Sequence, residues 1–195
     1  MCNNKLSNTT LSSYIINLLS DKGVHKVCIS PGSRNTPLTQ AFINSKKIKC
    51  FSHIDERASA YFALGICKTS KEPVAVLTTS GTAAANLLPA VIEASLNKSP
   101  LFLLTADRPT HLINTGASQT INQINLFNYY VRNMIDIDLS KKSINSVINN
   151  LYKSLDKAFG VKGKYPPGPV HINIRFDEPL IDDETVLSID KKQNK

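Results

Sequence analysis

Four short stretches carry the residue types from which a reactive site could be built. Ser30-Pro31-Gly32-Ser33-Arg34-Asn35-Thr36-Pro37 places a glycine, small hydroxyls and one arginine between a β-prone run and a helix-prone one. Free N–H groups at a helix start, joined by a guanidinium, make an anion site suited to carboxylate or phosphate. The nucleotide-loop spacing G-x-x-x-x-G-K-[ST] is missing, and a capped turn with a surface arginine would use the same residues. Thr78-Thr79-Ser80-Gly81-Thr82-Ala83 follows the same logic without a charge. Ser80 invites a nucleophile reading, but G-x-S-x-G is absent and the four histidines offer no triad, so a turn packed close against a ligand suits it better.

The other two stretches are charged. His53-Ile54-Asp55-Glu56-Arg57 sets carboxylates where a strand ends and a helix opens. Complementarity to the helix dipole accounts for them as readily as a catalytic acid does, and His53 reads as a packed or capping histidine. Thr105-Ala106-Asp107-Arg108-Pro109 ends an apolar run with a charged pair, and Gly116-Ala117-Ser118-Gln119-Thr120 then returns a polar amide. A local surface pair is one reading of Asp107 and Arg108. Adjacency disfavours a bidentate pair, which leaves Arg108 to face a ligand.

The elements between these stretches alternate. Leu11, Tyr14, Ile15, Leu18 and Leu19 recur at helical spacing before Gly23. A strand is expected over 24–29, a helix over 37–45, a strand over 48–52 and a helix over 55–70. Val74 to Thr78 is a near-continuous apolar strand, as befits a parallel sheet covered on both faces. An alanine-rich helix ending near Leu96 follows, then a strand over 101–105. A long polar loop runs from Ala106 to about Asn125, of a length that usually has a functional reason. An extended run over 131–137, a helix from about Lys142 to Phe159 and a strand over 170–174 complete the pattern. The expected fold class is therefore α/β, three layers of α/β/α around a mainly parallel sheet. Ligands of such folds sit beyond the carboxyl ends of the strands, where the four stretches above lie.

Bulk properties exclude several classes. At 195 residues the chain suits one domain and a short tail, with residues 1–181 forming the domain and the charged, aperiodic 182–195 a linker. No apolar run approaches the length of a membrane span, and the polar start after Met1 is unlike a secretory signal. Cysteines 2, 28, 50 and 67 show neither C-x-x-C spacing nor accompanying histidines, which points to a reducing cytoplasm without disulfides or zinc. The net charge of +8 comes mostly from scattered lysines, so it reads as a solvated surface rather than a nucleic-acid face.

Taken in order, ISPGSRNTPLT from Ile29, HIDERASAYFALG from His53, PVAVLTTSGTAAANLLPAVIEA from Pro73, LLTADRP from Leu103 and GASQTINQ from Gly116 resemble one family. It is the 2-succinyl-5-enolpyruvyl-6-hydroxy-3-cyclohexene-1-carboxylate synthases, and GPVHINIRFDEPL from Gly168 resembles the close of their N-terminal domain. The resemblance covers about residues 8–181 and implies the pyrimidine-binding domain of a thiamine diphosphate enzyme. It implies a transferase of menaquinone biosynthesis that decarboxylates 2-oxoglutarate and adds the resulting unit to isochorismate. Glu56 matches the glutamate that hydrogen-bonds the cofactor pyrimidine and promotes its imino tautomer, a task that suits a carboxyl whose pKa an apolar cleft raises. Ser33, Arg34, Arg108 and Gln119 match substrate-lining positions, and Gly81 a position close to the cofactor ring. Arginine suits such carboxylates through its planar fork.

The resemblance also implies what lies elsewhere. The diphosphate and its Mg2+ belong to a second α/β domain with a Gly-Asp-Gly signature, which these residues lack, so no metal ligand is expected here. The chain is expected to be an excised domain, a gene fragment or one subunit of a split enzyme. Alone it would hold half a site, with the whole enzyme a homodimer or higher oligomer. A free-standing pyrimidine subunit of another thiamine diphosphate-dependent 2-oxoacid decarboxylase or synthase, and a non-catalytic ligand module, are the alternatives.

Overall fold

The computed structural model describes residues 7–139 and 144–181. The expected tail, 182–195, and the expected helix start at Lys142 lie outside the described residues. Six strands form one sheet in the order β2-β1-β3-β4-β6-β5, every neighbouring pair parallel. They are β1 (Lys26–Ile29), β2 (Lys49–Ser52), β3 (Val74–Thr78), β4 (Leu101–Asp107), β5 (Asn133–Ile137) and β6 (Val170–Arg175). Parallel pairing brings all carboxyl ends to one edge. The chain first steps from β1 to β2 and then crosses to β3 on the other side, so the switch point falls between β1 and β3.

Helices α1 (Asn8–Asp21), α2 (Thr36–Asn44) and α6 (Ile144–Asp156) cover one face. Leu11, Ile15, Ile16 and Leu19 of α1 join Leu38 and Phe42 of α2 and Leu151 and Leu155 of α6 over a wholly apolar sheet surface, from Val27 to Ile174. Ser7 caps α1 by accepting from the Thr10 N–H. Helices α3 (Glu56–Ser70), α4 (Thr82–Ala85) and α5 (Leu88–Leu96) lie on the other face. Here small side chains (Ala60, Ala63, Ala90 and Ala94) bring the helices close to Cys28, Val74, Val76 and Leu103. Burial pushes the free thiols of Cys28 and Cys67 up to about 12 and about 11, so both act as packing groups.

Three expectations needed correction. The alanine-rich helix is two helices, because Pro89 has no N–H to carry the ladder back across Asn86 and Leu87. The expected helix ending at Phe159 finishes as a 3-10 turn, Lys157–Phe159. Strand β4 runs two residues beyond Thr105, so Asp107, read as a loop residue, is a fully buried strand residue. The long loop after it is not wholly exposed. It sends Gln123 and Phe127 into the interior, and Phe127 meets His171 edge-on at 4.7 Å.

His171 itself is fully buried, and its Nε2 shares a 2.7 Å hydrogen bond with Thr105 Oγ1. Burial holds the imidazole down to about 3, against 6.5 for an exposed histidine. Between those values the unfolded chain binds a proton that the folded chain refuses, so stability falls as pH drops below about 6.5. Asp107, raised by burial, acts in the opposite sense, so the histidine effect is read as the difference between the chain and a variant lacking the imidazole. From pH 6.5 to 5 the unfolding free energy should fall with a slope approaching about 1.4 kcal/mol per pH unit from this group. In His171→Gln that contribution should vanish, as urea midpoints measured across the interval will show.

Candidate active site

Loops at the carboxyl edge are tied together before any ligand is considered. After β1, Asn35 is fully buried; its Oδ1 accepts from the Gly32 N–H (3.1 Å) and its Nδ2 donates to the Ser30 carbonyl (2.8 Å). This loop presses on the one after β3 at the switch point. A Cβ on Gly32 would lie 2.4 Å from the Thr79 Cβ, so only glycine fits. Ser33 opens the 3-10 turn Ser33–Asn35 and is exposed.

Arg34, in contrast, is buried. Its Nη1 donates to the Phe176 carbonyl (3.0 Å) and its Nη2 pairs with Glu178 (3.1 Å), which leaves Nε without a partner. Burial, and then the nearby Arg108, lowers its pKa. Two like charges are thus held near one another. Half-buried Arg108 has a buried, unpartnered Nε of its own. Around the same edge, Ser30 Oγ, Thr78 Oγ1 and Ser80 Oγ are buried without partners. Unpaired donors of this kind are costly, so a cluster of them calls for a bound anion or polar ligand.

Glu56 is the first residue of α3, behind Asp55, whose carboxylate caps the helix by accepting from the Ala58 N–H (2.6 Å). The two acids divide the roles left open in the sequence: Asp55 serves the helix, and Glu56 is left for other work. Glu56 is half-buried, and its Oε2 accepts from Asn86 Nδ2 at 3.0 Å. That bond ties the segment after β2 to the helix after β3, on the same edge as the Ser33 and Arg108 loops. The apolar enclosure expected around this carboxyl is only partial here. His53 packs its ring on Phe62 with centroids 4.7 Å apart, and its Nε2 is buried and unpartnered.

Gly81 adopts φ +81°, and a Cβ there would lie 3.1 Å from the Gln119 carbonyl. Gln119 is itself in the left-handed region at φ 54°, with an exposed side chain. Gly81 therefore has a reason to be glycine in its own backbone conformation and in the close approach of Gln119.

Sequence reasoning missed a buried polar network beneath these loops. Asp107 does not pair with Arg108. Its Oδ2 meets Arg175 Nη1 at 3.2 Å and accepts from Asn173 Nδ2 at 2.8 Å, while its Oδ1 accepts from the Arg108 N–H. Arg175 Nε also binds Asp136 (3.1 Å), and Arg175 Nη1 donates to the Arg108 carbonyl (3.2 Å). Asn173 Oδ1 accepts from Thr105 Oγ1 and Gln123 Nε2, both at 2.8 Å. A signal was present: His171, Asn173 and Arg175 alternate along one strand, marking a polar strip on one sheet face. Asn86 and Gln123 left no such mark.

Among the described residues no group of three or more His, Cys, Asp and Glu side chains is arranged to hold a metal ion, and no helix is long and apolar enough to cross a membrane. The fold and site define a doubly wound parallel α/β domain with arginine and hydroxyl groups gathered at the carboxyl edge of its sheet. Residues 9–126 match the family described as "Thiamine pyrophosphate enzyme, N-terminal TPP binding domain", and the chain belongs to that family. It is 45% identical over 178 residues to a 2-succinyl-5-enolpyruvyl-6-hydroxy-3-cyclohexene-1-carboxylate synthase of Chlorobium phaeobacteroides (strain BS1), covering 91% of this chain and 30% of the relative. Proteins of the same name from Staphylococcus aureus (strain JH9) and Lysinibacillus sphaericus (strain C3-41) are 46% and 42% identical, over 83% and 89% of this chain and 29% and 31% of theirs. The chain spans about 30% of the length of the curated relatives it matches.

The network predicts the cost of disturbing it. Arg175→Met strands the buried Asp107 carboxylate and should destabilise the chain by about 3–5 kcal/mol. Adding Asp107→Asn should recover part of that loss, because the orphaned charge goes with it. Urea unfolding of the two variants checks both statements, and a single-mutant cost below about 1 kcal/mol would mean the pair behaves like an exposed one.

Proposed function

We propose that this chain supplies the pyrimidine-side half of a thiamine diphosphate-dependent synthase that decarboxylates 2-oxoglutarate and adds the product to isochorismate. The observation that carries the reading is Glu56. A carboxylate that leaves helix capping to its neighbour stands on the same sheet edge as unpaired arginine and hydroxyl donors. The 45% identity to a synthase of that name favours this substrate pair over those of other thiamine enzymes.

The residues fit one part of the cofactor. Glu56, steadied by Asn86, would hold a ring nitrogen of the aminopyrimidine and share a proton with it. When bound, the cofactor supplies the electron sink for decarboxylation. The remaining work in this half belongs to side chains of the cleft. Half-buried Arg108 offers its guanidinium to a substrate carboxylate, and Ser33 and Gln119, both exposed at the edge, add polar groups beside it. Arg34 acts mainly through charge, since two of its nitrogens are already bound. Gly81 serves by letting Gln119 approach. The diphosphate and Mg2+ are assigned to a separate domain of the whole enzyme, in the cytoplasm.

A neighbouring protein surface is part of the proposal. Ile54, two residues before Glu56, is 93% exposed, and Tyr61 and Phe62 on α3 are also exposed. Covering them in a dimer would remove water from the Glu56 carboxyl and give it the apolar surroundings that proton sharing needs.

The test joins this chain to a polypeptide covering the remainder of the Chlorobium relative. With thiamine diphosphate and Mg2+, release of carbon dioxide from 2-oxoglutarate is expected from the mixture and from neither piece alone. Glu56→Gln should lower the rate by about 10² or more. A mixture that turns over pyruvate in preference, or a Glu56→Gln variant at full rate, would refute the assignment.

A further inference from the structure

We infer that Gln123 is a positioning residue, a clamp that fixes the Gly81 turn and, through it, the presentation of Gln119. Gln123 is fully buried although it belongs to a loop. Its Oε1 accepts the Gly81 N–H at 2.8 Å, and its Nε2 donates to Asn173 Oδ1 at 2.8 Å and to the Ala106 carbonyl at 3.2 Å. One carboxamide thus joins the turn after β3 to the end of β4 and the middle of β6. No other neutral side chain of that length offers an acceptor at one end and two donors at the other.

The consequence reaches the cleft by two short routes. Gln119 lies against Gly81 so closely that a Cβ would meet its carbonyl at 3.1 Å. Any shift of the Gly81 turn must therefore move Gln119. Ala106 stands two residues before Arg108, and Asn173 passes the constraint on to Asp107, whose other oxygen accepts the Arg108 N–H. Gln123 never needs to touch a ligand. It sets the seats of two residues that, on the reading above, do.

Backbone amide measurements on the 195-residue chain test this without a ligand, so failure of the assigned activity would leave the result standing. In the unmodified chain the Gly81 amide should exchange slowly; exchange as fast as that of exposed Gly116 would overturn the clamp. Gln123→Met should speed Gly81 exchange by about tenfold or more, the expected effect of losing one net hydrogen bond. The Gln119 and Arg108 resonances should move with it, while Thr105 and Asn173 amides in the β4–β6 ladder keep their protection. A uniform loss across the sheet, or no change at Gly81, would reduce Gln123 to ordinary packing.

Gln123→Glu supplies a second reading if the methionine variant does not fold. A neutral carboxyl can accept from Gly81 and donate to Asn173 or Ala106, whereas the ionised form has no proton to donate. Asp107 lies one residue further on, bound to Asn173 and Arg175, and its charge disfavours ionisation of a second acid there. The Gly81 amide resonance should therefore follow a carboxyl titration, native-like at low pH and displaced at high pH. A resonance displaced from its native position even at low pH, where the carboxyl is neutral, would overturn the clamp.

Discussion

A polar row crosses the middle of this sheet, and the architecture of the site follows from the need to satisfy it. The register places Thr105, Asn173 and Asp136 side by side on three successive strands, with Asp107 and Arg175 one step further along. Buried polar groups of this density would unfold a domain if left unpaired. Here Asn173 uses both ends of its amide, Arg175 reaches two carboxylates, and Gln123 descends from a loop to close the circuit. The opposite face of the same strands is uniformly apolar and needs only helices to cover it.

That asymmetry explains why a long loop lies where a doubly wound fold would ordinarily place a helix. A helix has its backbone groups occupied and would present mainly side chains at fixed spacing, whereas an irregular segment can lend an amide wherever one is missing. Gln123 and Phe127, four residues apart, meet quite different neighbours, one the polar network and the other His171. Because the segment is anchored from beneath, its upper surface can carry Arg108 and Gln119 without being floppy. Satisfying the interior and positioning the cleft are therefore one physical task.

Much of this was legible in the chain itself. The run from Val74 to Thr78 reads directly as a buried strand, and Ser30 to Thr36, Asp55-Glu56 and Thr79 to Thr82 announce turns at strand ends because each begins where an apolar run stops. The illegible parts depend on contacts distant in sequence. Asp107 read locally as a surface neighbour of Arg108, whereas its partner is Arg175, 68 positions on, and Arg34 read as an anion-binding or surface arginine, whereas its partners lie at 176 and 178. Local pattern gives a residue's face and exposure but not its partner across the sheet. The division of work between Asp55 and Glu56 was hidden for a related reason, since either acid could have capped the helix.

The strand order also bears on how many molecules the cleft admits. Glu56 follows β2, and Arg108 follows β4, with β1 and β3 between them. At about 4.8 Å per strand, roughly 14 Å of sheet edge separates the two strand ends. An acid at one end and a cation at the other would make a natural pair if they met, yet the structure gives each a different occupation: Glu56 takes the Asn86 amide, while Arg108 keeps its Nε unpaired. Separation of that size keeps opposite charges from quenching one another across the cleft, since screening in water weakens them over such a span. It leaves room for a ring beside Glu56 and a carboxylate beside Arg108 at the same time. On the proposed reading those two ligands meet near the switch point between β1 and β3, where the loop bearing Gly32 presses on Thr79.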